Sequence, residues 1–89
     1  MPHTWYVYMV KCRDKSLYTG ITNDLPRRLD QHKGIKAGGA QYTAARRPVS
    51  LVYQEACESR QIATRREIEI KKLSRQKKLA LIELNGISP

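Results

Sequence analysis

Two runs rich in aromatic and β-branched residues, TWYVYMVKC (4–12) and SLYTGIT (16–22), meet at the short polar stretch RDKS. Such runs fit a pleated surface, and a short polar break turns the second back along the first, so the spacing predicts a β-hairpin. The second run passes at once into NDLPRRLDQHKG (23–34). Asn23 or Asp24 can cap a helix there, Pro26 suits its first turn, Leu25 and Leu29 lie four apart on one stripe, and Gly34 stops it. A strand end and a helix start therefore share a corner, and that corner gathers Tyr18, Gly20, Arg27, Arg28 and His32.

Further along, GIKAGGAQYTAARRP (34–48) holds three glycines and no sustained period, and it reads as a loop. VSLVYQEAC (49–57) alternates well enough for a third strand. Ser59 caps a helix over RQIATRREIEIKKL, and Ser74 caps another over RQKKLALIEL that Gly86 ends. The order β-β-α-β-α-α predicts an α+β fold, a small three-stranded antiparallel sheet flanked by helices. A chain of 89 residues has room for one hydrophobic core, so a single domain is expected over 1–89 with its core at about 4–82.

Seventeen Lys and Arg against eight Asp and Glu give a net charge of +9. An excess that large in so short a chain suits a polyanion, and nucleic acid is the expected partner, DNA ahead of RNA because no RNA-binding module is recognisable. The competing reading is a basic surface that is merely solvated or drawn to anionic lipid. No apolar stretch approaches the roughly 20 residues of a membrane span, and MPHTWYVYMVKC lacks the order of a secretory signal, so a cytoplasmic protein without membrane contact is expected. Cys12 and Cys57 have no CxxC partner and no His at zinc spacing, which makes them buried or half-buried thiols of a reducing compartment.

Turn length decides whether Tyr8 and Tyr18 share a sheet face, because successive side chains alternate. A two-residue loop at Asp14 and Lys15 would pair Tyr8 with Ile21 and separate the phenols. An odd loop centred on Lys15 would pair Tyr8 with Thr22, Val10 with Gly20 and Cys12 with Tyr18 on one face, leaving an open patch at Gly20. On the short helix Arg28 and His32 are flank neighbours, four residues apart, and the helix start favours a phosphate. Arg27 points elsewhere, toward a solvated or DNA-facing surface. In the long helix Ile62, Ala63, Ile70 and Leu73 share the core arc, Glu67 projects just beyond its edge, and Glu69 is an ion-pair partner. Arg66 falls within the apolar arc and either snorkels or reaches toward the site. With Arg65, Lys71 and Lys72 it forms the basic run expected to meet nucleic acid.

YVY at 6–8, YTG at 18–20 followed by Thr22, then Arg28 and His32, then RREIEIKKLSR with Glu67, resembles the GIY-YIG nuclease superfamily. Within it the chain is similar to the small stand-alone bacterial GIY-YIG domain proteins, over residues 4 to about 82. The resemblance implies a metal-dependent endonuclease hydrolysing DNA phosphodiester bonds, in repair or in the processing of DNA structures. Tyr8 or Tyr18 would orient or deprotonate the attacking water, and Gly20 would let the backbone fold tightly beside the site. Arg28 would contact the scissile phosphate, His32 would support proton transfer, and Glu67 would be the single protein ligand of Mg²⁺ or Mn²⁺. These residue types suit the chemistry: Arg offers a fork to phosphate oxygens, one carboxylate leaves a divalent ion open to phosphate and water, and His titrates near neutral pH. A phenol acting as base would need its pKa lowered by nearby cations. Two departures stand out. Tyr6-Val7-Tyr8 replaces Gly-Ile-Tyr, and Leu79 occupies the place where many family members carry asparagine. The alternative is a non-catalytic nucleic-acid-binding module on the same fold, and any cleavage would be weakly specific, directed at DNA structure, or dependent on a protein partner for its target.

Overall fold

The computed structural model describes residues 4–85. Its elements run β1 (Trp5–Lys11), β2 (Leu17–Thr22), α1 (Leu25–Lys33), α2 (Gln41–Ala44), β3 (Ser50–Cys57), α3 (Arg60–Lys71) and α4 (Arg75–Asn85). The strands form one antiparallel sheet in the order β2-β1-β3, an α+β arrangement of the expected kind. One element is new. The glycine-containing segment read as a loop includes α2, a single turn too short to show any hydrophobic period.

The hairpin turn is set by Asp14. Its carboxylate accepts from Ser16 N at 3.0 Å, Cys12 N donates to Ser16 O at 2.9 Å, and Lys15 takes the left-handed conformation with φ 68°. A three-residue tip closed by a left-handed residue is a common odd-length hairpin connection. Its centre is Asp14 and not Lys15, which moves the register by two residues: Tyr8 faces Gly20 and Val10 faces Tyr18. Parity survives that slip, so both tyrosines stay on one face.

As the central strand, β1 is covered on both sides, and Val7, Tyr8, Met9 and Val10 are all fully buried. Val7 and Met9 join Val52, Tyr53, Cys57 and the α3 residues Ala63 and Ile70, with Leu81 and Ile82 of α4 packed against them. Tyr8 and Val10 point the other way, into a cluster with Cys12, Leu25 and Val49 that Leu29 also joins. The sheet thus separates an α1 layer from an α3/α4 layer. Both cysteines are free and buried, and among the described residues no helix is long and apolar enough to cross a membrane.

Caps place the helices. Asp24 accepts from Arg27 N at 3.2 Å, and Gly34 ends α1 with φ 86°. Ser59 accepts from Ile62 N and Ser74 from Lys77 N, each at 3.2 Å. The stop expected at Gly86 lies outside the described residues. On α3 the packed line is Ala63, Glu67 and Ile70, spaced i, i+4, i+7. Ile62, expected in the core arc, is instead 45% exposed, because packing along that line turns it to the helix flank.

Candidate active site

Gly20 is not an open patch: it is the floor beneath the Tyr8 phenol. A Cβ at Gly20 would lie 2.6 Å from the Tyr8 hydroxyl, a distance no real Cβ tolerates. The missing side chain lets a residue of the central strand lay its ring across β2 and bring its oxygen toward the sheet edge.

There the Tyr8 oxygen lies 2.7 Å from His32 Nε2, and the Arg28 Nε–H donates to the same oxygen at 3.4 Å. His32, on the last turn of α1, has no exposed surface. Its ring centroid is 5.7 Å from that of Tyr8 and 5.1 Å from that of Tyr18. Its Nδ1 lies 2.8 Å from Thr43 Oγ1, and Thr43 donates onward to Ala40 O at 3.0 Å. Arg47 Nε donates to His32 O at 2.9 Å, pinning the end of α1 to the segment after α2.

This environment reverses the proton affinities expected from sequence. Burial, with the Arg28 and Arg47 charges, pushes the His32 pKa down to about 4, away from the neutral range. Burial also pushes the Tyr8 pKa up to about 12, against the opposing hydrogen bond and charge of Arg28. Desolvation disfavours the charged form of either group. At neutral pH the pair rests as phenol and neutral imidazole.

Arg28 is anchored through one guanidinium nitrogen. Its Nη1 donates to Gln31 Oε1 and to Gly38 O, each at 2.9 Å, and among the described residues none of its hydrogen bonds uses Nη2. A cleft of about 260 Å³ opens beside it, lined by Thr22, Asn23, Asp24, Arg27, Arg28 and Gln31. Arg27, expected to point elsewhere, lines the same cleft at the helix start. Tyr18 is the half-buried phenol of the pair, and the exposed Tyr42 ring lies beside it with centroids 6.0 Å apart.

Glu67 comes from the other side of the sheet. It sits on the packed line of α3, against the Val7 and Met9 face, and its side chain is 20% exposed with Lys71 Nζ 3.5 Å away. Its charge reaches the Tyr8 phenol as a weak upward influence on the pKa. A divalent metal fits the donor set in one way. Among the described residues there is no cluster of three or more His, Cys, Asp or Glu, so the ion would be held through one carboxylate and complete its shell with water and phosphate oxygens, as Mg²⁺ does readily.

The basic run does not lie on one surface. Arg66 donates from Nε to Glu55 at 3.1 Å and from Nη1 to Glu69 at 3.4 Å, while Tyr53 donates to the same Glu55 at 2.6 Å. It is a structural ion-pair partner between α3 and β3, neither snorkelling nor reaching into the site. Arg65 lines a separate groove of about 510 Å³ with Arg60, Gln61, Thr64 and Ile68. Lys72 lies seven residues on, on that same side, roughly opposite Glu67 at 100° per residue. Lys71 alone of the run stands beside Glu67. Sequence reasoning missed Thr43, because no spacing rule links a loop threonine to a histidine eleven residues earlier.

The sequence profile of the GIY-YIG catalytic domain matches residues 4–80. A UPF0213 protein of Staphylococcus haemolyticus is 56% identical over 78 residues, which span 88% of this chain and 93% of that one. Another, from Desulfotalea psychrophila, is 49% identical over 79 residues, 89% of this chain and 71% of the relative. The solution NMR structure of a UPF0213 protein from Bacillus halodurans superposes with a TM-score of 0.61 at 44% identity, covering 93% of this chain and 86% of that one. A solution NMR structure of an E. faecalis protein does so at 0.60 and 34%, covering 97% and 93%.

Proposed function

Since this chain belongs to the GIY-YIG family, we propose that it is a divalent-metal-dependent DNA endonuclease that hydrolyses phosphodiester bonds, acting in the repair or processing of DNA structures in the cytoplasm. The observation that carries this reading is the Tyr8 oxygen, which a neutral imidazole meets at 2.7 Å and a guanidinium at 3.4 Å. Phosphodiester hydrolysis needs a proton acceptor for the attacking water and a cation for the phosphate, and here both converge on one phenol.

Each residue then has a task. Arg28, fixed through Nη1, turns its unused Nη2 toward the phosphate that the cleft admits, with Arg27 holding a neighbouring phosphate of the strand. Tyr18, facing solvent, orients the water. Tyr8 relays the water's proton to His32, whose imidazolium the empty site disfavours and the negative charge of a bound phosphate would favour. Glu67 would hold a single Mg²⁺ or Mn²⁺, which supplies Lewis-acid polarisation of the phosphate and a more acidic water. Lys71 leaves Glu67 for the DNA backbone when the site is loaded.

A non-catalytic nucleic-acid-binding module is the second reading. It is favoured by the Lys71 pairing on Glu67 and by Leu79, 42% exposed on α4 where an asparagine is expected. Incubation with supercoiled plasmid and branched DNA in Mg²⁺, Mn²⁺ or EDTA, beside Glu67→Ala, separates the two. The nuclease reading predicts nicking that both EDTA and Glu67→Ala abolish. Salt-sensitive binding without nicking under every condition would establish the module, and a protein partner that chooses the target is compatible with either.

A further inference from the structure

Four hydrogen-bonding groups in the α1 layer form a chain with one direction. Thr43 is fully buried, and its single hydroxyl proton goes to Ala40 O at 3.0 Å. Its oxygen must then accept from His32 Nδ1, 2.8 Å away, which puts the neutral imidazole's one proton on Nδ1 and leaves Nε2 bare. The other end of the chain requires the same answer independently. Tyr8 is fully buried and its oxygen already receives Arg28 Nε–H. Among the described residues His32 Nε2 is the acceptor its O–H can reach, at 2.7 Å. The opposite tautomer would aim two N–H donors at the phenol oxygen and leave a buried O–H without a partner, which is costly away from water.

We propose that Thr43 is a positioning residue of this site: by accepting from His32 Nδ1 it fixes the tautomer in which Nε2 takes the Tyr8 proton. The proposal rests on the nuclease reading for its consequence and on geometry alone for its substance. In the reaction one proton passes from the water to the Tyr8 oxygen while the Tyr8 proton passes to Nε2, so His32 becomes the imidazolium and Tyr8 ends as it began. Placing this hydroxyl is the task of α2. Thr43 is its third residue, and Ala44 N holds the turn by donating to Ala40 O at 3.0 Å.

The test reads the tautomer directly. ¹⁵N-labelled protein at neutral pH gives the protonation of both His32 ring nitrogens, and the only other histidine in the sequence is His3. Wild type and Thr43→Ser are expected to carry the proton on Nδ1. Thr43→Val, which keeps the shape and removes the acceptor, strands the Nδ1–H and leaves Tyr8 alone to hold the tautomer, so a measurable share of the proton is expected to appear on Nε2. Metal-dependent nicking should then fall about 10- to 100-fold in kcat with KM for DNA unchanged, the usual scale for losing a group that orients an acting histidine, and Thr43→Ser should restore it. Thr43→Ala gives the same reading should the valine variant fail to fold. A proton on Nε2 in wild type, or one that stays wholly on Nδ1 in both variants that lack the hydroxyl, would overturn the proposal whatever the rates. If the spectra agree and wild-type protein does not nick DNA, the nuclease reading falls and the assignment of Thr43 stands.

Discussion

The two halves of the candidate site are built on different principles. Tyr8, His32 and Thr43 are fully buried and bonded to one another, in the manner of a core that happens to be polar. Glu67 sits across the sheet with a side chain one-fifth exposed, held by one lysine at 3.5 Å. A buried polar network is stable only when every member is satisfied, so the α1 corner is rigid and intolerant of change. The lysine of that pair is itself half exposed, and a single ion pair with one solvated partner adds little stability, so the α3 side is free to exchange a lysine for another cation. The hydrogen-bonded chain is thus preformed in the fold, whereas the carboxylate is held only by a partly solvated lysine.

Substitutions should separate the halves. Glu67→Gln is expected to abolish metal-dependent nicking while moving the free energy of unfolding, measured in urea, by no more than about 0.5 kcal/mol. A loss of several kcal/mol would mean that Glu67 belongs to the structure. His32→Ala should behave in the opposite way. It empties a fully buried site and strands the Tyr8 hydroxyl, costing about 3 kcal/mol of stability in the same titration.

Acid should expose the same asymmetry. His32 titrates at about 4 in the folded chain against 6.5 as its ordinary value, so above pH 6.5 both states leave it neutral and stability is full. Between pH 6.5 and 4 the unfolded chain takes a proton that the folded chain refuses, and stability falls by at most about 3 kcal/mol. Below pH 4 this residue adds no further loss. Urea unfolding across that range should show the decline in wild type and lack it in His32→Gln, and equal slopes for the two would contradict the burial argument. The smallest effect concerns the basic residues. Arg27→Ala should lower the slope of log binding constant against log salt by about 1, whereas Arg66→Ala, whose charge is spent on Glu55 and Glu69, should leave it unchanged.

Much of this was legible in the sequence where one residue decides one feature. Asp24, Gly34, Ser59 and Ser74 each cap or stop a helix by a local rule, and the hairpin followed from its two runs. The resemblance brought Tyr8, Tyr18, Arg28 and His32 to one corner, and the fold does the same. What escaped depended on several elements at once. The register slipped by two because a side chain, Asp14, sets the turn. The α3 face rotated because packing chose Ala63, Glu67 and Ile70 over Ile62. Arg66 found Glu55 on a strand that no helical spacing reveals. The proton affinities of Tyr8 and His32 moved in opposite directions because both are buried, and burial is a property of the assembled layers.

One measurement bears most directly on the claim that the Tyr8–His32 pair moves the proton of the reaction. It is single-turnover nicking of plasmid by Tyr8→Phe in Mg²⁺, with folding checked by urea titration. The account predicts a folded protein, about 1–3 kcal/mol less stable because His32 Nε2 loses its donor, with cleavage slowed by about 100-fold or more. A folded Tyr8→Phe variant that nicks at the wild-type rate would contradict it, and would move the proton acceptor to Tyr18.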